Sequence, residues 1–268
     1  MTERIQLQEP GFIRTVFVIA RNTFREAVRD RILYNLVLFV LLITASAIFL
    51  GDLTAGHEAR MIVNLGLSAV LLFGAFIAIF VGVSLVSKEI EKRTVFAIFS
   101  KPVSRSQFII GKYLGLCLTL LVNILIMGIG ISLALLYVKG GSLVYSIWGT
   151  ILLIYLELAI VTATAILFSS FSTPAISALL TFFVFIIGHF SAALRELAAS
   201  MGSNAAKLVF DAIYYILPNL SHFEFIRNAA HGSTPPPAMF AGCVAYAVVY
   251  SIILLTVTTL VFSRRDFK

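Results

Sequence analysis

Long apolar runs separated by short polar interruptions dominate the chain. The runs fall at about 32–50, 61–86, 113–138, 143–168, 175–194 and 238–262. Each approaches or exceeds the roughly 20 residues a helix needs to cross a hydrocarbon core. Backbone at membrane depth must satisfy its own hydrogen bonds, so each run predicts a helix. A different pattern precedes them. Between Phe12 and Arg31, the residues Ile13, Val16, Phe17, Ala20, Phe24, Ala27 and Val28 recur on one helical face. Arg14, Arg21, Arg25 and Arg29 recur on the other. That division predicts an amphipathic helix in the headgroup region with its bases toward anionic lipid. Packing of the same helix on a soluble neighbour is the alternative.

The interruptions carry their own grammar. Residues 87–112 form the most charged one, with Lys88, Glu89, Glu91, Lys92, Arg93, Lys101, Arg105 and Lys112. Glu89 and Arg93 stand four apart in the favourable order for a helical ion pair. Pro102 disfavours helix at Lys101, so the first helix is expected to stop there. Ser104 has Gln107 three residues on, a capping box that opens a second helix. The segment therefore reads as helix, kink, helix at one membrane face. Lys139-Gly140-Gly141-Ser142 reads as a tight turn, and Ser169–Thr173 as a short link closed by Pro174 at a helix start. The longer interruption, 195–237, contains Leu208–Leu217, ten apolar residues that are too few to cross. An interfacial or re-entrant piece is expected there, ended by Pro218. Pro235-Pro236-Pro237 reads as a rigid spacer.

Composition and charge orient this pattern. The chain has 268 residues, 60% hydrophobic and 12% charged, with net charge +7. A soluble protein of that make-up would expose far too much apolar surface. Lys and Arg number six in the N-terminal segment, six in the central stretch and three at the C-terminus, fifteen in all. The opposite side carries Arg60, Lys139, Arg195, Lys207 and Arg227, five in all. The excess of bases marks the cytoplasmic side. The expected fold class is an all-α membrane protein of six transmembrane helices with both termini cytoplasmic. Its divisions are 1–31, a cytoplasmic N-terminus with the interfacial helix; 32–262, the membrane domain; and 263–268, a cytoplasmic tail.

The run Glu89-Ile90-Glu91-Lys92-Arg93-Thr94, then Ser100-Lys101-Pro102-Val103-Ser104-Arg105, then Gly111-Lys112 resembles the membrane subunits of ATP-binding-cassette transporters of the ABC-2 permease family. Many members carry Gly-Thr where this chain has Arg93-Thr94. The resemblance implies that 87–112 is a coupling helix docking on a separate ATPase subunit, with Glu89, Glu91, Arg93, Thr94, Phe96, Phe99, Pro102 and Arg105 at the contact. It further implies a permease homodimer in a prokaryotic inner membrane, most often an exporter, with ATP and magnesium on the partner chain. Two other readings stay open: a membrane scaffold for a maturation complex, such as copper-site assembly in a periplasmic metalloenzyme, and an intramembrane enzyme.

Candidate chemistry is sparse. No G-x-x-x-x-G-K-[ST], H-E-x-x-H or G-x-S-x-G motif occurs. No enzymatic activity is therefore expected on this chain, and no catalytic, cofactor or metal residue is assigned. Glu157 is the one carboxylate deep in a predicted span, and an intramembrane acid is a functional hypothesis by default. Asn123 or a serine on a neighbouring helix is its expected partner. His57, His189, His222 and His231 match no zinc spacing. Cys117 and Cys243 read as packed apolar thiols, Phe182-Phe183-Val184-Phe185 as lipid-facing or packing residues, and Gly128, Gly130 and Ser132 as points of close helix approach.

Overall fold

The computed structural model describes residues 11–28, 57–91, 103–200 and 204–264, with single positions 38, 39, 42, 43, 45, 46 and 49 between the first two stretches. Every regular element among them is helical. Helix α1 (Phe12–Ala27) comes first. Helix α2 (Glu58–Phe76) passes through a π-helical segment, Ile77–Val81, into α3 (Gly82–Glu91). Helix α4 (Arg105–Tyr137) is the longest. A 3₁₀ turn, Gly141–Leu143, leads into α5 (Val144–Ser169). Then come α6 (Pro174–Ser200), α7 (Asn204–Ile216), a 3₁₀ turn at Leu220–Phe223, α8 (Ile226–Ala230) and α9 (Pro237–Arg264). Five stretches among the described residues are long and apolar enough to cross a membrane: α2 with its continuation to Lys88, α4, α5 with its preceding turn, α6 and α9. The first expected span, about 32–50, lies largely outside the described residues.

The observed ends follow local chemistry. Ser104 Oγ accepts from the Gln107 N–H, and Gln107 Oε1 accepts from the Ser104 N–H at 2.8 Å, so the capping box opens α4 where the sequence placed it. At its far end α4 closes through Lys139, whose φ of 57° is left-handed. A glycine stands one residue later because Ala59 of α2 leaves no room: a Cβ on Gly140 would lie 2.7 Å from the Ala59 Cβ. The N-terminus of α2 therefore meets the C-terminal end of α4.

Helix α5 is the hub. Residues 157–166 are buried without a break, whereas α9 presents Val248, Val249, Ile252, Ile253, Val257 and Leu260 outward. An apolar helix buried all round belongs at the centre of a bundle; α9, with one exposed apolar side, belongs at its edge. The core joins Ile62, Val63 and Leu67 of α2, Leu116, Leu120 and Ile124 of α4, and Ile151, Ile154 and Leu158 of α5.

Two faces of the bundle are then defined. Arg105 at the start of α4 donates through Nη1 to the carbonyls of Phe262, at 2.8 Å, and Ser263, at the end of α9. A guanidinium there satisfies carbonyls that the last helical turn leaves unpaired. Phe108 stacks on Phe262, centroids 6.0 Å apart, on the same face. At the opposite face Ser146 Oγ bonds the Ala229 carbonyl at 3.0 Å, which ties α5 to α8.

The non-helical backbone after α7 enters the bundle from that opposite face. Pro218, Asn219 and Leu220 are buried. A Cβ on Gly188, midway along α6, would lie 2.6 Å from the Pro218 carbonyl oxygen. Phe223 and Phe225 are also buried. Irregular backbone at membrane depth is tolerated when it is enclosed in protein, as here. The re-entrant piece is thus 218–230, not the apolar run at 208–217. That run forms α7, a 13-residue helix held to α6 by Arg195, which pairs with Asp211 at 3.2 Å and stacks over Tyr214 at 4.8 Å.

Candidate functional site

Two regions carry the polar chemistry: the charged face around the start of α4, and the mid-depth of α5 and α6. Helix α1 lies against the first. Thr15, Val16, Thr23 and Ala27 are buried. A Cβ on Gly111 would lie 2.7 Å from the Ile19 Cβ, and one on Gly115 would lie 2.6 Å from the Ala20 carbonyl oxygen. Successive contacts advance together along both chains, so α1 runs parallel to the start of α4. Gly111-x-x-x-Gly115 is the small-residue spacing that lets two helix backbones close up. Gly128 lies further along α4, and a Cβ there would meet Ile151 of α5 at 2.8 Å, whereas Gly130 is loosely packed.

Lys112 completes the α1 contact. It is 3% exposed, and its Nζ stands 3.7 Å from Glu26 Oε2 of α1 and 5.9 Å from the centre of the Phe108 ring. A buried ammonium needs such a partner. In the sequence Lys112 reads as one more base in a charged stretch; Glu26 and the glycine spacing were the signals that could have set it apart. The apolar face expected for α1 divides in two. Val16 and Ala27 pack on protein, whereas Ile13 and Phe17 are 83% and 66% exposed. Arg14, Arg21 and Arg25 are exposed; Arg29 lies outside the described residues.

Of the expected coupling residues, Glu89 and Glu91 fall on the last turn of α3. Arg93, Thr94, Phe96, Phe99 and Pro102 lie outside the described residues. Arg105 is brought to the end of α9, where its guanidinium caps that helix. Ser104 and Arg105 thus fix where α4 begins relative to the last span.

The buried carboxylate has a different partner from the one expected. Glu157, 1% exposed, faces His189 of α6, with Oε1 3.4 Å from Nδ1. Neither atom is aligned with a hydrogen-bond partner. The contact is an electrostatic pairing of two groups that are costly to bury alone. Asn123 is not involved: its Nδ2 donates to the Thr119 carbonyl on its own helix at 2.8 Å, and its Oδ1 has no partner. A carbonyl one turn back satisfies a polar side chain in a helix without help from another element. His189 stands about 22 Å along α6 from its start. Phe185 and Phe190 flank its ring. Phe182 and Phe183 are 41% and 50% exposed, as expected for outward-facing aromatics.

Just toward the opposite face lies a polar knot that the sequence did not announce. Asn219, 4% exposed, accepts through Oδ1 from Ser191 Oγ at 2.7 Å and Ser221 Oγ at 2.6 Å. Its Nδ2 bonds His222 Nε2 at 3.1 Å, and its N–H donates to the Tyr246 hydroxyl at 2.9 Å. One residue so joins α6, the re-entrant segment and α9, the last through its backbone N–H. Asn after Pro is an ordinary turn dipeptide, which hid this role. Cys117 and Cys243 are both free and buried, as read from the sequence. His57, His222 and His231 are exposed. Among the described residues no three of His, Cys, Asp and Glu converge.

A family model described as ABC-2 family transporter protein matches residues 17–267. A search of curated proteins found no match.

Proposed function

Since the chain belongs to the ABC-2 transporter family, and is therefore the membrane-embedded permease of an ABC transporter, we propose that it is the permease of an ATP-driven exporter in a prokaryotic inner membrane. Two copies would form the pathway, and two copies of a separate ATPase, binding ATP and magnesium, would drive it. The observation that carries this reading is the family match over nearly the whole chain.

The geometry supports it in three ways. The stretch from Glu91 to Arg105 begins and ends on the charged face, which also holds the end of α9. A push on that stretch acts directly on α3 and α4. Second, α1 packs on the start of α4, whereas Ala59 of α2 meets Gly140 near its far end. The chain between residues 28 and 57 must therefore pass from one face to the other, which supports a sixth span near 32–50. Phe39, fully buried with its ring 6.1 Å from that of Phe73, fits such a crossing. Third, the described bases Arg14, Arg21, Arg25, Arg105 and Lys112 belong to α1 and the start of α4, on the face that also holds the end of α9, which supports a cytoplasmic position for that face.

Nucleotide-driven closure of the ATPases would move residues 87–112 and turn the attached helices. Phe96 and Phe99 are the proposed anchors, since aromatic side chains contribute more to an interface than rim charges do. Pull-down of the ATPase in detergent, at matched permease levels, tests this. Phe96→Ala with Phe99→Ala is expected to weaken association at least tenfold, and Lys92→Ala much less. Pro102→Ala is expected to keep the partner but release ATP hydrolysis from transport. Full retention of the ATPase by the double variant would sink the coupling assignment. A bound partner with no ATP-dependent transport would favour the scaffold reading.

A further inference from the structure

A cavity of about 540 Å³ lies between the re-entrant segment and α9, lined by Ser221, His222, Met239, Gly242, Cys243 and Tyr246. Met239, Gly242, Cys243 and Tyr246 recur at the i, i+3, i+4, i+7 spacing that puts them on one face of α9. The cavity therefore sits in the first turns of α9, at the end of the bundle opposite Arg105 and Phe262. Its walls are mostly apolar. Its size falls in the range of small-molecule sites, roughly 300–1,000 Å³.

The surrounding hydrogen bonds fix what the walls can still offer. Ser221 N–H donates to Asn219 Oδ1 at 3.2 Å, so that atom is the amide oxygen. Asn219 Nδ2 must then donate to His222 Nε2. An accepting Nε2 means an uncharged imidazole with its proton on Nδ1. Ser221 Oγ spends its proton on Asn219 Oδ1, and Cys243 Sγ spends its own on the His222 carbonyl. Tyr246 differs. Its hydroxyl accepts from the Asn219 N–H at 2.9 Å, and its own proton has no acceptor among the described residues. The Tyr246 and His222 rings meet nearly edge to face, with centroids 5.9 Å apart and planes at 76°.

These walls select a guest. No lining residue carries a charge in this arrangement, so a charged guest would enter without a counter-charge. A plain acyl chain would cover the Tyr246 O–H without accepting from it and leave that bond unmade. A flat ring suits the corner between the two rings, because it can face one and present its edge to the other. Gly242 keeps the space open: a Cβ there would meet nothing within 4 Å.

We propose that this cavity binds a small, uncharged, ring-bearing molecule that carries a hydrogen-bond acceptor. The Tyr246 hydroxyl donates to that acceptor. The Tyr246 and His222 rings and the Met239 thioether hold the apolar body. The site does not rest on the permease reading, and its test needs neither the ATPase nor transport.

The probe is benzophenone, an uncharged diaryl ketone that inserts into nearby C–H bonds under near-ultraviolet light. The full chain in phosphatidylcholine nanodiscs is irradiated with it, and labelled peptides are mapped by mass spectrometry. Saturable labelling is expected on residues 239–246. At equal membrane concentration, fluorenone is expected to compete about three- to tenfold better than fluorene, which has the same rings but no carbonyl, because one hydrogen bond separates them. Tyr246→Phe is expected to erase that preference. Gly242→Leu fills the cavity and is expected to abolish saturable labelling. Leucine is a better helix former than glycine, so this variant is expected to fold. Ala241→Leu adds the same side chain outside the lining and is expected to keep the labelling. Labelling that does not saturate, or that spreads over the exposed faces of α6 and α9, overturns the site. So does undiminished labelling of Gly242→Leu. Equal competition by fluorenone and fluorene in the wild type overturns the recognition of an acceptor and assigns the cavity to acyl chains. That comparison decides alone should Tyr246→Phe fail to fold.

Discussion

Glu157 and His189 illustrate how a single pair can be structural, functional or both. Glu157 is buried, and half-buried His189 turns a buried Nδ1 toward it; neither that nitrogen nor Glu157 Oε1 has an aligned hydrogen-bond partner. Removing one strands the other, and an unsatisfied buried polar group costs about 1–3 kcal/mol. Glu157→Gln keeps a polar partner and is expected to be the milder change. Glu157→Leu is expected to lower thermal stability by about that amount. The double variant Glu157→Leu with His189→Leu removes both polar groups and is expected to recover most of the loss. If transport also recovers, the pair only packs helices; if stability returns and transport does not, the pair acts in the cycle. Equal stability of all three variants would show that the contact contributes nothing to the fold. Arg105 makes the complementary point. Expected at a partner contact, it also donates through Nη1 to the last turn of α9, a distant segment of its own chain.

At the scale of elements, the second span is not one uniform helix. Its π-helical segment, Ile77–Val81, interrupts the regular i→i−4 ladder between α2 and α3. Such segments recur at functional sites. This one separates α2, packed by Gly66 and Gly74 against α4 and α5, from α3, which leads to the segment proposed to couple to the ATPase. The expectation is that α3 turns about it while α2 stays fixed. Hydrogen exchange of the full chain in nanodiscs is expected to show protection at 77–82 at least about tenfold below that of the flanking turns, or about 1.4 kcal/mol less local stability. Uniform protection through the span would remove the hinge. The re-entrant segment 218–230 is held in the opposite way, by Asn219 to two helices and by buried Leu220, Phe223, Ala229 and Ala230 to the core. It is built to stay in place.

For the whole molecule, the prediction is topological. With Cys117→Ala and Cys243→Ala as background, Ser142→Cys is expected to react with a membrane-impermeant maleimide in intact cells. Ser263→Cys, beside the α9 terminus that Arg105 caps, is expected to react only after permeabilisation. Outside labelling at position 263 would invert the molecule and remove the coupling face from the cytoplasm. Because the native thiols are free and buried, replacing them with alanine is expected to leave insertion unchanged.

Sequence alone determined the all-helical membrane class, the limits of the five described spans to within a few residues except where helices ran past the apolar core, the capping box at Ser104 and the basic face. These follow from hydropathy, turn chemistry and charge, which act over one helix at a time. Only the tertiary structure decided which polar groups meet. Glu157 with His189, Lys112 with Glu26, Arg105 with Phe262 and Asn219 with Ser191 and Tyr246 each join different elements, and most lie far apart in the chain. Their pairing depends on how helices rotate and slide against one another. Rotation is set by small residues such as Gly111, Gly115 and Gly188, whose effect exists only once a neighbouring backbone is close enough to need the space.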